Sequence, residues 1–207
     1  MIEIFPDLWQ TTLQNPFPGL NTHAYFIKRS EGNVLVYNTS NASDLRQIQA
    51  LGGMATQFIS HRHESGHSLG PIKAMFNSRL CASEIEAAYL EEIVEIAVKE
   101  RFFYSADIEL IPTPGHTDGG LSFLYKSTEA GNVLFTGDTL FLSNGEWSTL
   151  VFSADGGSRG DMLETLEIYR NLKPNVVISS GYSGDRCVVE IDPLEWDSTI
   201  DKIISNL

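Results

Sequence analysis

The apolar positions of this chain change period many times, and each change predicts an element. Ala24-Tyr25-Phe26-Ile27 and Val34-Leu35-Val36-Tyr37 are β-rich runs flanking Ser30-Glu31-Gly32-Asn33, a turn composition; two short strands are expected there. Leu45, Ile48 and Leu51 fall on one helical face, and Gly52-Gly53 stops that helix. Thr56-Gln57-Phe58-Ile59-Ser60 reads as a buried strand, and Leu69, Ile72, Met75 and Phe76 as a second helix. A short strand at Arg79-Leu80-Cys81 follows. Ser83 with Glu86 forms a capping-box pattern, and Ile85, Tyr89, Ile93 and Ile96 continue it at helical period. Glu84, Glu91, Glu92 and Glu95 would then lie on the exposed face, read as solvated charge rather than a metal site.

The second half repeats the rhythm. Leu121 to Tyr125 and Val133 to Thr136 read as strands. Asp161 with Glu164 is expected to cap a helix carrying Leu163, Leu166, Tyr169 and Leu172. Val176-Val177-Ile178 is a buried strand. Asp192-Pro193-Leu194-Glu195 reads as the start of a closing helix, with proline at its first position and Trp196, Ile200, Ile203 and Leu207 as its apolar stripe. Strands and helices alternate throughout, which favours α/β or α+β layers over a helical bundle.

Composition narrows this picture. The chain has 207 residues, 42% of them hydrophobic. That suits one medium domain, or two half-domains sharing a core, without disulfide support. Cys81 and Cys187 are the only cysteines and read as reduced, buried thiols of a cytoplasmic protein. The chain opens Met1-Ile2-Glu3-Ile4-Phe5-Pro6, which lacks the basic and apolar pattern of a leader. No apolar run approaches the roughly 20 residues needed to span a bilayer. A net charge of -13 repels phosphate backbones and anionic membranes, so neither nucleic acid nor membrane is expected as a partner. The acidic excess says little about the substrate, and the oligomeric state stays open, a homodimer included.

The histidines carry the candidate chemistry. Four of the five lie in two segments that follow buried strands: Ser60-His61-Arg62-His63-Glu64-Ser65-Gly66-His67 and Pro112-Thr113-Pro114-Gly115-His116-Thr117-Asp118. Two histidines one residue apart can reach the same ion from a strand-end turn. A third from a distant loop completes a three-nitrogen set with a fourth position open for water, the layout of a catalytic zinc site. His23, isolated beside Thr22, reads as a satisfied structural histidine. Asp138, in Thr136-Gly137-Asp138-Thr139, could equally cap backbone amides in a turn. Asn144-Gly145-Glu146-Trp147-Ser148 could line a pocket, with Trp147 as its apolar wall.

Together these segments resemble the metallo-β-lactamase superfamily, and the resemblance covers most of the chain. Asn21-Thr22-His23-Ala24-Tyr25 and Val34 to Ser40 look like its opening strands. Ser60-His61-Arg62-His63 looks like the start of its HxHxDH motif, and Pro114-Gly115-His116-Thr117 like its third-histidine segment. Phe135-Thr136-Gly137-Asp138-Thr139-Leu140-Phe141 looks like its bridging-aspartate motif, and Lys173 to Gly181 like the strand leading to its last histidine. The resemblance implies an α+β fold, a four-layer αββα sandwich, formed by residues 1–207 as a single domain. It also implies a metal-dependent hydrolase in which a metal-bound hydroxide attacks an ester, thioester or related substrate.

The departures from the family pattern bear on the site. Ser65 and Gly66 stand where the first motif continues with aspartate and histidine; with one residue inserted in the loop, His67 would take the histidine position. Ser180-Gly181-Tyr182-Ser183-Gly184 holds no final histidine, and Tyr37-Asn38-Thr39 has asparagine where an aspartate often precedes the threonine. The dinuclear site is therefore incomplete. The expected metal ligands are His61, His63 and His116, with Asp138 and His67 for what remains of a second site. Asp138 or Glu64 would serve as general base. One zinc ion is the expected occupancy. Two alternatives stand: a mononuclear non-haem iron dioxygenase using His61, His116 and Asp138, and a non-catalytic, metal-free binding or structural member of the fold.

Overall fold

The computed structural model describes residues 1–207, which form two compact units, Met1–Val98 and Lys99–Leu207. In the first unit seven strands lie side by side in chain order: Ile2–Phe5, Leu8–Gln10, Tyr25–Ile27, Val34–Val36, Thr56–Phe58, Arg79–Ser83 and Ile96–Val98. The first four pair antiparallel and the last three join in parallel. Parallel neighbours need a crossover, supplied by helices Ala42–Ala50 and Leu69–Phe76. Asn41 caps the first helix by accepting from the Ser43 and Asp44 amides. It ends before Gly52 and Gly53, both at positive φ, as the sequence indicates. The strands Tyr25–Ile27, Val34–Val36 and Thr56–Phe58 are buried along their whole length.

The second unit contains a six-stranded sheet, also in chain order: Phe102–Phe103, Ile108–Pro112, Leu121–Ser127, Gly131–Gly137, Val176–Ser179 and Val188–Glu190. Only Gly131–Gly137 and Val176–Ser179 pair in parallel; the helix Arg159–Leu172 joins them. Its core combines Met162, Leu166, Tyr169 and Leu172 with Trp196, Ile200 and Ile203 of the closing helix Trp196–Asn206. The apolar stripe of that helix is buried as expected. The Trp196 indole N–H donates to the Tyr169 carbonyl at 2.7 Å, so this large ring is buried with its polar atom satisfied. No helix is long and apolar enough to cross a membrane.

Three expectations about elements are corrected. The helix expected from Ser83 to Ile96 is a single turn, Glu84–Ala87, and Ile96 belongs to a strand. Ser83 does cap, accepting from the Glu86 amide at 3.1 Å. The Glu86 carboxylate accepts from Arg62, and Ile96–Val98 is taken by the sheet beside Cys81–Ser83. Ile85, Tyr89 and Ile93 are accordingly 46, 57 and 75% exposed. The helix expected to be capped by Asp161 is capped three residues earlier, by Ser158, whose hydroxyl accepts from the Asp161 amide. Asp192 to Glu195 form a turn ahead of the closing helix, in which Asp192 accepts from the Leu194 amide. Asn144-Gly145, expected to line a pocket, is a hairpin turn: both residues have positive φ and join strands Phe141–Ser143 and Glu146–Ser148.

Candidate metal centre

In the first unit the chain leaves strand Thr56–Phe58 through Ile59 and Ser60 and makes one tight turn, Arg62–Glu64, before helix Leu69–Phe76. This turn presents His61, which is buried, and His63, which is exposed. Their rings lie edge to face with centroids 5.1 Å apart. The intervening residue is an anchor. The Arg62 amide and guanidinium both donate to buried Glu86, at 2.8 Å each for the amide and Nε, and the guanidinium lies 3.6 Å above the Tyr89 ring.

A second anchor is Asn38, which the sequence marked only as a departure from the family pattern. Its Nδ2 donates to the Glu64 carbonyl at 3.0 Å, and its Oδ1 accepts from Ser68 at 3.0 Å and from Gln57 at 3.2 Å. Both ends of the histidine loop are thereby tied to the neighbouring strand end. Glu64 faces inward: Oε2 accepts from the Ser60 amide at 2.8 Å and Oε1 accepts from the Ser60 hydroxyl. His67 is exposed on the same loop. His23 is a structural histidine, with Nδ1 2.7 Å from the Thr11 carbonyl.

In the second unit His116 sits in the loop after strand Ile108–Pro112. Gly115, at φ 142°, makes the loop possible, since a Cβ there would stand 2.8 Å from the Met162 Cα. Thr165 donates to the Pro114 carbonyl at 2.6 Å, and the Phe152 amide donates to the His116 carbonyl at 2.9 Å. His116 Nδ1 lies 2.8 Å from the Leu150 carbonyl. A carbonyl can only accept, so Nδ1 carries the proton and Nε2 carries the lone pair. This is the arrangement of a histidine that ligates a metal through Nε2 while a second group fixes its tautomer. Nothing in the local sequence signals Leu150, which is 34 residues away.

Asp138 follows strand Gly131–Gly137, where the turn opens at Gly137 (φ 57°). Its Oδ1 accepts from the Ser180 hydroxyl at 2.5 Å and from the Gly181 amide at 3.0 Å. The segment that lacks the family's final histidine therefore holds this carboxylate, and the amide-capping expectation for Asp138 describes one of its oxygens. Trp147 and Ser148 line a cavity of about 280 Å³ with Val151, Ile203 and Leu207. Cys81 and Cys187 are both buried and reduced.

Comparison with known proteins identifies the family. The family model for the metallo-beta-lactamase superfamily matches residues 54–181, a span that holds every candidate ligand. A hydroxyacylglutathione hydrolase of Brucella ovis is 34% identical over 133 residues, covering 56% of this chain and 50% of that protein. The chain thus spans about half the length of the curated relatives it matches. Among solved structures, a metallo-beta-lactamase from Pontibacter korlensis aligns with a TM-score of 0.72 at 16% identity, covering 99% of this chain and 96% of that one. ETHE1 from Myxococcus xanthus aligns with a TM-score of 0.67 at 18% identity, covering 94% and 85%. At these identities the structures establish a shared mixed α/β fold. The family match spans more than half the sequence, and this chain belongs to the metallo-beta-lactamase superfamily.

Proposed function

We propose that residues 1–207 act as one hydrolase domain that binds a single zinc ion through His61, His63 and His116 and cleaves an ester or thioester of a small molecule. The observation that carries this reading is the hydrogen bond from His116 Nδ1 to the Leu150 carbonyl, which leaves the Nε2 lone pair for a metal. The donor set, three imidazoles without thiolate, suits zinc with an open position. A bound zinc would polarise the scissile carbonyl and lower the pKa of water toward about 7. The chain's own part is to fix donors and handle protons. Asp138, held through Oδ1 by Ser180 and Gly181, is the residue we assign to take the proton of the attacking water. Ser65, Gly66 and the histidine-free segment Ser180–Gly184 leave a second ion without its usual ligands, which supports one ion over two. The thioester assignment draws on the hydroxyacylglutathione hydrolases among the relatives.

Metal analysis of purified protein, followed by assays on ester and thioester panels, tests this directly. Close to one equivalent of zinc is expected. His116→Ala should lose both zinc and turnover, and undiminished turnover in that variant would overturn the mechanism. Iron with oxygen uptake would replace zinc hydrolysis by the iron reading. Protein that stays metal-free after exposure to both metals would support a non-catalytic role.

A further inference from the structure

Ser60, just before His61, is 1% exposed, and its hydroxyl oxygen lies 2.9 Å from His61 Nδ1. The hydroxyl donates to Glu64 Oε1, while Glu64 Oε2 accepts from the Ser60 amide at 2.8 Å. Oε1 also stands 3.4 Å from His61 Nδ1, and the Glu64 side chain is only 7% exposed. A carboxylate can only accept, so the Ser60 hydrogen points at Glu64 and only its lone pairs remain for the ring. His61 must then present Nδ1–H to Ser60, with its lone pair on Nε2. The short turn Arg62–Glu64 makes this possible by returning Glu64 to the residue four positions before it. Both carboxylate oxygens are engaged on Ser60, an arrangement that suits orientation better than the general-base role expected from sequence.

We propose that Glu64 and Ser60 are positioning residues: Glu64 orients the Ser60 hydroxyl, which in turn fixes the tautomer and ring angle of His61. That Nε2 then meets a metal rests on the function proposed above; the tautomer itself does not. Outer partners of this kind commonly change metal affinity 10- to 100-fold. Long-range ¹⁵N–¹H correlation spectra of the metal-free protein read the tautomer of each histidine ring. In wild type His61 should be the Nδ1–H form. Ser60→Ala should shift it toward the Nε2–H form, and Ser60→Thr, which keeps a hydroxyl, should restore it.

Zinc affinity, measured by competition with a chromophoric chelator, should fall about 10- to 100-fold in Ser60→Ala and recover in Ser60→Thr. Glu64→Gln, which keeps an acceptor for the Ser60 amide, should lie between. An Nε2–H ring in wild type would overturn the proposal, as would a Ser60→Ala variant indistinguishable from wild type in tautomer and affinity. A wild-type protein that takes up no zinc, yet shows the Ser60-dependent tautomer, would sustain this proposal and refute the metal reading.

Discussion

His23 shows what burial does to one side chain. Burial holds its imidazole below the usual histidine pKa, against the opposing influence of the Thr11 carbonyl and the Asp44 carboxylate. The unfolded chain therefore takes up a proton on this ring at higher pH than the folded chain does. Its contribution to stability is complete above about pH 6.5 and is lost as the pH falls below that value. Urea midpoints measured from pH 7.5 to 5 should decline more steeply for wild type than for His23→Gln; equal slopes would refute the assignment. Cys81 is the second residue-scale case. Burial pushes its thiol up to about 12, so it stays protonated near neutrality and unreactive. A thiol reagent should modify Cys81 only after denaturation, which peptide mapping of labelled native and unfolded protein would show. Both residues read as structural in the sequence because each stands apart from the segments that carry the metal motif. Their environments were not.

At the scale of elements, the histidine turn is positioned by groups it does not contain. Glu86 holds Arg62 through two hydrogen bonds at 2.8 Å and a third at 3.2 Å, all out of water. Glu86→Ala would strand the Arg62 guanidinium and amide, and its expected cost is about 3–5 kcal/mol in chemical denaturation. A loss below about 1 kcal/mol, the range of exposed pairs, would show that the clamp is solvated. The helix expected from Ser83 to Ile96 fails for a different reason, since Ile96–Val98 pairs with the sheet instead. Periodicity at Ile85, Tyr89 and Ile93 was a true pattern without a core to face. The closing helix, by contrast, follows its stripe because Trp196, Ile200 and Ile203 meet the helix Arg159–Leu172. Propensity and pattern predict an element reliably when a partner surface accepts the apolar face, and the partner lies elsewhere in the sequence.

For the whole molecule, the proposed metal makes stability depend on ion concentration. A ligand that binds only the folded state at 100 times its Kd adds about 2.7 kcal/mol. Zinc should therefore raise the melting temperature of wild type, a chelator should reverse the shift, and His116→Ala should show neither effect. An unchanged melting temperature in zinc would count against binding to the native fold. Part of this protein was determined by its sequence alone: the buried strands around Tyr25, Val34, Phe58, Leu121, Val133 and Val176, four of its helices, the Gly52-Gly53 stop, the strand-end placement of the histidines and the family motifs, including where those motifs are incomplete. These features depend on side-chain period and local backbone chemistry within a few residues. Other features were decided only by the tertiary structure. Asn38 bonds to Glu64 across 26 residues, Arg62 to Glu86 across 24, His116 to Leu150 across 34 and Asp138 to Ser180 across 42. Such bonds set which nitrogen of a ring carries its proton and which way a carboxylate turns. They form where strand ends from separated segments meet, and no local pattern encodes that meeting.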